Sequence, residues 1–179
     1  MSDTAQRTPV GPGEAKLVAS QLGRPPREPW CVASRCRFGR AAAIVSPSRL
    51  AGGTPFPTYA WLTCPHLAEQ VAALESTGGV AGFAARAASD ESLAAALRAV
   101  DARVRDLRAA ESGGVDACST VGIAGQRDPL GVKCLHAHVA LALVGAGDPI
   151  GEEVLAGVTR ECDDDRCAAL PGGTPEGDL

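Results

Sequence analysis

Aromatic residues are scarce in this chain, with three phenylalanines, two tryptophans and one tyrosine among 179 residues. That scarcity excludes a core built on ring stacking, so the interior has to come from Ala, Leu and Val. Positive charge is short as well. Lys and Arg total 17 against 21 Asp and Glu, for a formal net charge of −4 and a pI of about 5.4. Without a basic field to attract phosphate, neither nucleic acid nor an anionic membrane surface is an expected partner. A secretory leader is also missing from the opening MSDTAQRTPVGPGEAK, which has no basic n-region and no apolar h-region. The longest apolar stretch, residues 129–147, carries Lys133, His136 and His138, so it reads as a buried helix without membrane insertion. The expected location is cytoplasmic.

What is plentiful is small residues and cysteine. With 21 Gly and 13 Pro, much of the chain is turn and loop. The seven cysteines, an odd number in a reducing compartment, favour free thiols or metal ligands over a disulfide framework. Residues 1–13 are polar and rich in Pro and Gly, which predicts a disordered tail. Residues 14–158 form the expected single domain, and 159–179 an acidic flexible tail.

Within the domain, a helix over 14–22 stops at Gly23 and Pro25-Pro26. Extended runs at 30–36 and 41–46 are joined by Arg37-Phe38-Gly39-Arg40, which suits a hairpin, and a third strand falls at 58–63. Helical spacing begins at Pro65, with Leu67, Val71 and Leu74 on one stripe, and a short element follows at 80–88. The clearest helix has Ser89 as its expected N-cap. Leu93, Leu97, Val100, Val104 and Leu107 form its buried face, with Arg98, Asp101, Arg105 and Arg108 on the others. A loop over 112–128 leads to a helix over 129–144 with no continuous polar face, expected to be central. Segregated strands and helices of this kind predict an α+β fold, a small antiparallel three-stranded sheet against a helical C-terminal half.

Candidate chemistry lies in the cysteines and histidines. GVKCLHAH, residues 131–138, holds Cys134, His136 and His138. In a continuous helix Cys134 and His138 share a face and His136 lies opposite. WLTCPHL, residues 61–67, puts Cys64 at an expected helix start. There unpaired N–H groups favour the thiolate, suiting it to ligation or nucleophilic attack, while His66 should be exposed. Cys36 closes a strand, and Cys31, at odd separation, faces the other way. Cys162 and Cys167 in the acidic tail could chelate a metal adventitiously or pair on oxidation; Cys118 has no obvious partner.

Several segments together resemble an uncharacterised, mainly actinobacterial family, domain of unknown function 501. These are QLGRPPR (21–27), VASRC (32–36), GGTPFPTYAWLTCPHL (52–67), GQRDPLGVKCLHAH (125–138) and DPIG (148–151). The resemblance implies no established activity. It implies a genomic neighbourhood with a septum-formation initiator and an exopolyphosphatase, hence a protein partner in cell division. Its recurring polar and sulfur residues fall on Arg24, Arg35, Cys36, Cys64, Arg127, Asp128, Lys133, Cys134 and His136. A cysteine that many members carry two residues after Cys36 is Phe38 here.

Three readings follow. In the first, Cys36, Cys64, Cys134 and His136 bind zinc, or an iron–sulfur cluster, in a structural or regulatory role. In the second, Cys64 or Cys134 is the nucleophile of a thiol-dependent enzyme, with a histidine as base. Arg24, Arg35, Arg127 and Lys133 then grip an anionic small molecule. In the third, the protein is a non-catalytic interaction partner. No single motif enforces a reaction type.

Overall fold

A computed structural model describes residues 10–173. Of the expected disordered tail, residues 1–9 lie outside that range, as do 174–179 of the acidic tail. Pro12–Leu22 forms α1, opened by proline at its first turn and closed by Gly23 at φ 71°. β1 (Cys31–Arg35), β2 (Ala41–Val45) and β3 (Ala60–Leu62) make one antiparallel sheet in the order β1-β2-β3. The first turn is the expected hairpin. Cys36 N–H donates to Arg40 O (2.9 Å) and Gly39 sits at φ 75°, where a side chain would be strained.

β2 is buried along its whole length, and its two faces serve different partners. The cross-strand row Val32, Ile44 and Trp61 packs toward Val18 and Leu22 of α1. The row Cys31, Val45 and Ala60 faces the helical half.

That half comprises α2 (Pro65–Ser76), α3 (Gly79–Ser89), α4 (Glu91–Glu111), α5 (Leu135–Leu143) and α6 (Pro149–Gly157). The architecture is α+β, as the sequence pattern predicts, and α5 is its central helix, with Leu135, His138, Val139, Ala140 and Leu141 all buried. No helix among the described residues is long and apolar enough to cross a membrane.

Four expectations are corrected. The cap of α4 is Asp90 rather than Ser89; its carboxylate accepts from Ser92 N (2.9 Å) and Leu93 N (3.2 Å). Asp101 and Arg108, expected on the solvent side of α4, are buried. Arg108 takes the carbonyls of Pro57 (2.6 Å), Cys118 (3.0 Å) and Val121 (2.5 Å) together with Asp116 (2.8 Å), so one guanidinium ties two loops to α4. Asp101 pairs with Arg105 and accepts from Ile123 N (3.1 Å).

The central helix starts at Leu135, six residues later than its apolar content suggests. Asp128 turns the chain by accepting from Leu130 N (3.0 Å), and Gln126 donates to Gly131 O (2.9 Å), which closes the preceding loop. Lastly, residues 159–173 are packed on the body. Gln70 donates to Thr159 O (2.6 Å) and accepts from its N–H (2.9 Å), Arg40 grips Asp165 (2.9 Å), and Arg166 reaches Glu69 (2.7 Å).

Candidate functional site

Trp61 is placed by the pleat. As the β3 member of the row facing α1, it stands on an edge strand next to the point where α1 ends, and the chain crosses over it as Arg24-Pro25-Pro26-Arg27. Leu22, Arg24, Pro26, Arg27, Phe56 and Trp61 line a cavity of about 270 Å³. The Arg24 guanidinium lies 5.4 Å from the centre of the Trp61 ring, and Phe56 stacks on the same ring at 6.0 Å and 10°. Among the described residues neither Arg24 nor Arg27 pairs with a carboxylate, whereas Arg35, Arg37, Arg40 and Arg86 all do.

A second cavity, of about 320 Å³, lies along the same strand, lined by Thr58, Ala60, Trp61, Lys133, Cys134 and His136. Trp61 belongs to both. Cys134 is the N-cap of α5, in extended conformation and half-buried. Glu75 of α2 organises this corner. Its Oε1 accepts from Leu135 N (2.5 Å) in the first turn of α5 and lies 3.2 Å from His136 Nδ1. His136 Nε2 faces Ala68 O at 3.2 Å. Both ring nitrogens therefore face oxygen acceptors, and neither is aimed at Cys134 as a base would be.

The sulfur and imidazole groups expected to share a metal do not come together. Cys36 and Cys64 line a separate cavity of about 190 Å³ with Arg35, Leu143, Arg160 and Glu161. Cys134 and His136 lie in the cavity shared with Trp61. Cys64 lies two residues beyond Leu62, the last residue of β3, whereas Cys134 lines the cavity that runs along the strand from Thr58 to Leu62. Among the described residues, no group of three or more His, Cys, Asp or Glu side chains is arranged to hold a metal ion.

Cys64 also departs from expectation in its acidity. Burial pushes its thiol above the ordinary range, outweighing the lowering by the Leu67 and His66 N–H groups at the start of α2. His66 is half-buried, with Nε2 2.8 Å from Thr159 O.

The shared face expected for Cys134 and His138 disappears because the helix begins after Cys134. His138 is buried, with Nδ1 2.8 Å from Asp148 Oδ2, and Asp148 caps α6 through Gly151 N (2.9 Å). Of the predicted anion-gripping residues, Arg24 and Lys133 flank the Trp61 cleft. Arg35 pairs with Glu14 and donates to Gly39 O (2.9 Å), and Arg127 is exposed in the loop before α5. Glu75 and the Phe56–Trp61 pair escaped the sequence reading. A lone glutamate on an amphipathic helix carries no signal, and the pairing of two aromatics depends on a strand row.

These features define a small α+β domain in which two cavities share Trp61, one lined by Arg24 and Arg27 and the other by Lys133. Residues 32–156 match the family described as protein of unknown function (DUF501), and the chain belongs to that family, as its motifs indicate. Neither the curated proteins nor the solved structures contain a match.

Proposed function

We propose that this protein binds a small molecule carrying a planar ring and an anionic group, with the ring against Trp61 and the anion held by Arg24, Arg27 and Lys133. The observation that carries this reading is that Trp61 lines both cavities. Arg24 and Arg27 stand on one side of it, and Lys133 with Cys134 on the other. The ring supplies apolar area and a π face, and the guanidinium groups offer forked donors that fit a carboxylate or phosphate. The segments bearing the family motifs, RPPR, GTPFPT, AWL and VKCLH, all contribute to this cleft.

A second reading, a thiol reaction on the bound ligand, draws on the place of Cys134 beside Lys133 in the same cavity. Here Cys134 is a better candidate nucleophile than Cys64, because it is half-buried rather than buried and Cys64 is held protonated by burial. In this reading His136 positions the start of α5 and the base is a different group.

The test is fluorescence of a Trp30→Phe variant, which leaves Trp61 as the sole indole. It would be titrated with inorganic phosphate, pyrophosphate, benzoate and adenosine monophosphate. Saturable quenching by a ring-bearing anion, weakened by Arg24→Ala and by Lys133→Ala, is expected. Quenching unaltered by both substitutions, or none from any probe, rejects the binding reading. For the thiol reading, release of product from a bound thioester or phosphoester probe must vanish in Cys134→Ser.

A further inference from the structure

Cys36, Cys64, Cys162 and Cys167 come from three separate stretches of chain, each tied by hydrogen bonds of its own segment to the hairpin end of β2. Cys36 opens the hairpin turn, with its N–H on Arg40 O (2.9 Å), and Cys64 N–H reaches Ala42 O (3.3 Å). Gln21 bridges the same strand end to the C-terminal segment, donating to Ala41 O (3.0 Å) and to Cys167 Sγ (3.4 Å). Arg37 holds Cys162 O (2.6 Å), and Arg40 holds Asp165 between the last two cysteines. Cys36 and Cys64 also line one cavity of about 190 Å³, together with Arg160 and Glu161 just ahead of Cys162.

An independent observation concerns residues 160–173. Their only buried side chains are those of Cys162 and Cys167. An acidic segment with so little apolar area gains almost nothing from the hydrophobic effect on docking. Yet it lies against the sheet and α1 with its two sulfurs turned inward.

We propose that Cys36, Cys64, Cys162 and Cys167 form a structural zinc site that fastens the C-terminal segment to the sheet. Zinc takes four thiolates in a tetrahedron and needs no other ligand. The thiols are free and in this structure are not arranged around a common point; the proposal requires each to turn about its Cα–Cβ bond to reach the ion. Binding releases the four thiol protons to solvent without oxidation or reduction. The complex of one divalent ion and four thiolates is a dianion, and Arg40 lies near Cys36 and Cys167, and Arg166 near Cys162, to offset it. The proposal is independent of the Trp61 cleft, so either can fail alone.

The full chain, purified under reducing conditions without chelator, is titrated with zinc chloride and, separately, with cobalt chloride. Expected are one tightly held zinc per chain and the intense charge-transfer and visible bands of tetrahedral cobalt thiolate. Both should be lost in Cys162→Ser/Cys167→Ser and in Cys36→Ser, and kept in Cys134→Ser and Cys31→Ser. Zinc retained by the double variant overturns the proposal. So does wild-type protein that takes up no zinc and gives no cobalt–thiolate band, a result that stands even if a serine variant fails to fold. A Cys162–Cys167 disulfide persisting in the zinc-treated, reduced protein overturns it as well.

Discussion

At the scale of single residues, burial decides which charges and thiols matter. Arg108 is fully buried and satisfied by four loop carbonyls, those of Pro57, Cys118, Val121 and Gly122, and by Asp116. Removing it leaves Asp116 and those carbonyls without their partner in a dry interior. Arg108→Met should therefore cost about 3–5 kcal/mol in urea unfolding, and Arg108→Lys should recover only part, since an ammonium cannot reproduce the fork. An effect below about 1 kcal/mol would mean water reaches this network.

Thiols follow the same logic. Cys64 is buried with its acidity suppressed by desolvation, whereas Cys134 is half-buried in an open cavity. Iodoacetamide labelling followed by mass spectrometry should modify Cys134 well before Cys64 at neutral pH. Cys64 should gain reactivity only as pH rises beyond the ordinary thiol range. The burial of Arg108 was not legible in the sequence. Arg108 occupies a helical position that reads as solvent-facing, and only the loop folding over α4 encloses it.

Elements are better encoded than their ends. Pro12, Pro65 and Pro149 each open a helix where proline is suited to do so, yet α6 escaped notice because its start follows the apolar run of α5 too closely. Asp148 both caps α6 and holds His138. Asp148→Ala should cost about 2–4 kcal/mol, from a lost cap and a buried imidazole left unpaired. Asp148→Asn, which can keep the cap, should cost less; thermal melts followed by circular dichroism compare the two.

Asp90 performs the same task for α4 at an exposed site. Its carboxyl is held below the usual range, first by the Ser92 hydroxyl and then by the Leu93 and Ser92 N–H groups. A lowered folded value means the cap's contribution is fully present above the ordinary aspartate range, near about 4. It is lost as pH falls through the lowered value. Chemical-shift titration of Asp90 should show that displacement, and Ser92→Ala should reduce it.

For the molecule as a whole, the C-terminal segment is the element whose role is least visible locally. Truncation after Val158 removes the Arg40–Asp165 and Arg166–Glu69 pairs and uncovers α1, against which Gly172 packs. In metal-free protein the melting temperature should fall by about 3–6 °C, corresponding to roughly 1–2 kcal/mol; an unchanged melt would show the segment contributes nothing to the metal-free fold. The α+β class, the hairpin and the existence of a central helix follow from the sequence alone, because hydrophobic period, proline placement and turn glycines act over a few residues. The meeting of distant groups does not. Trp61 and Lys133 line one cavity, whereas Cys36 and Cys64 line another without Cys134. Which side chains become neighbours depends on where a strand ends and which way its pleat points, and those are properties of the packed chain.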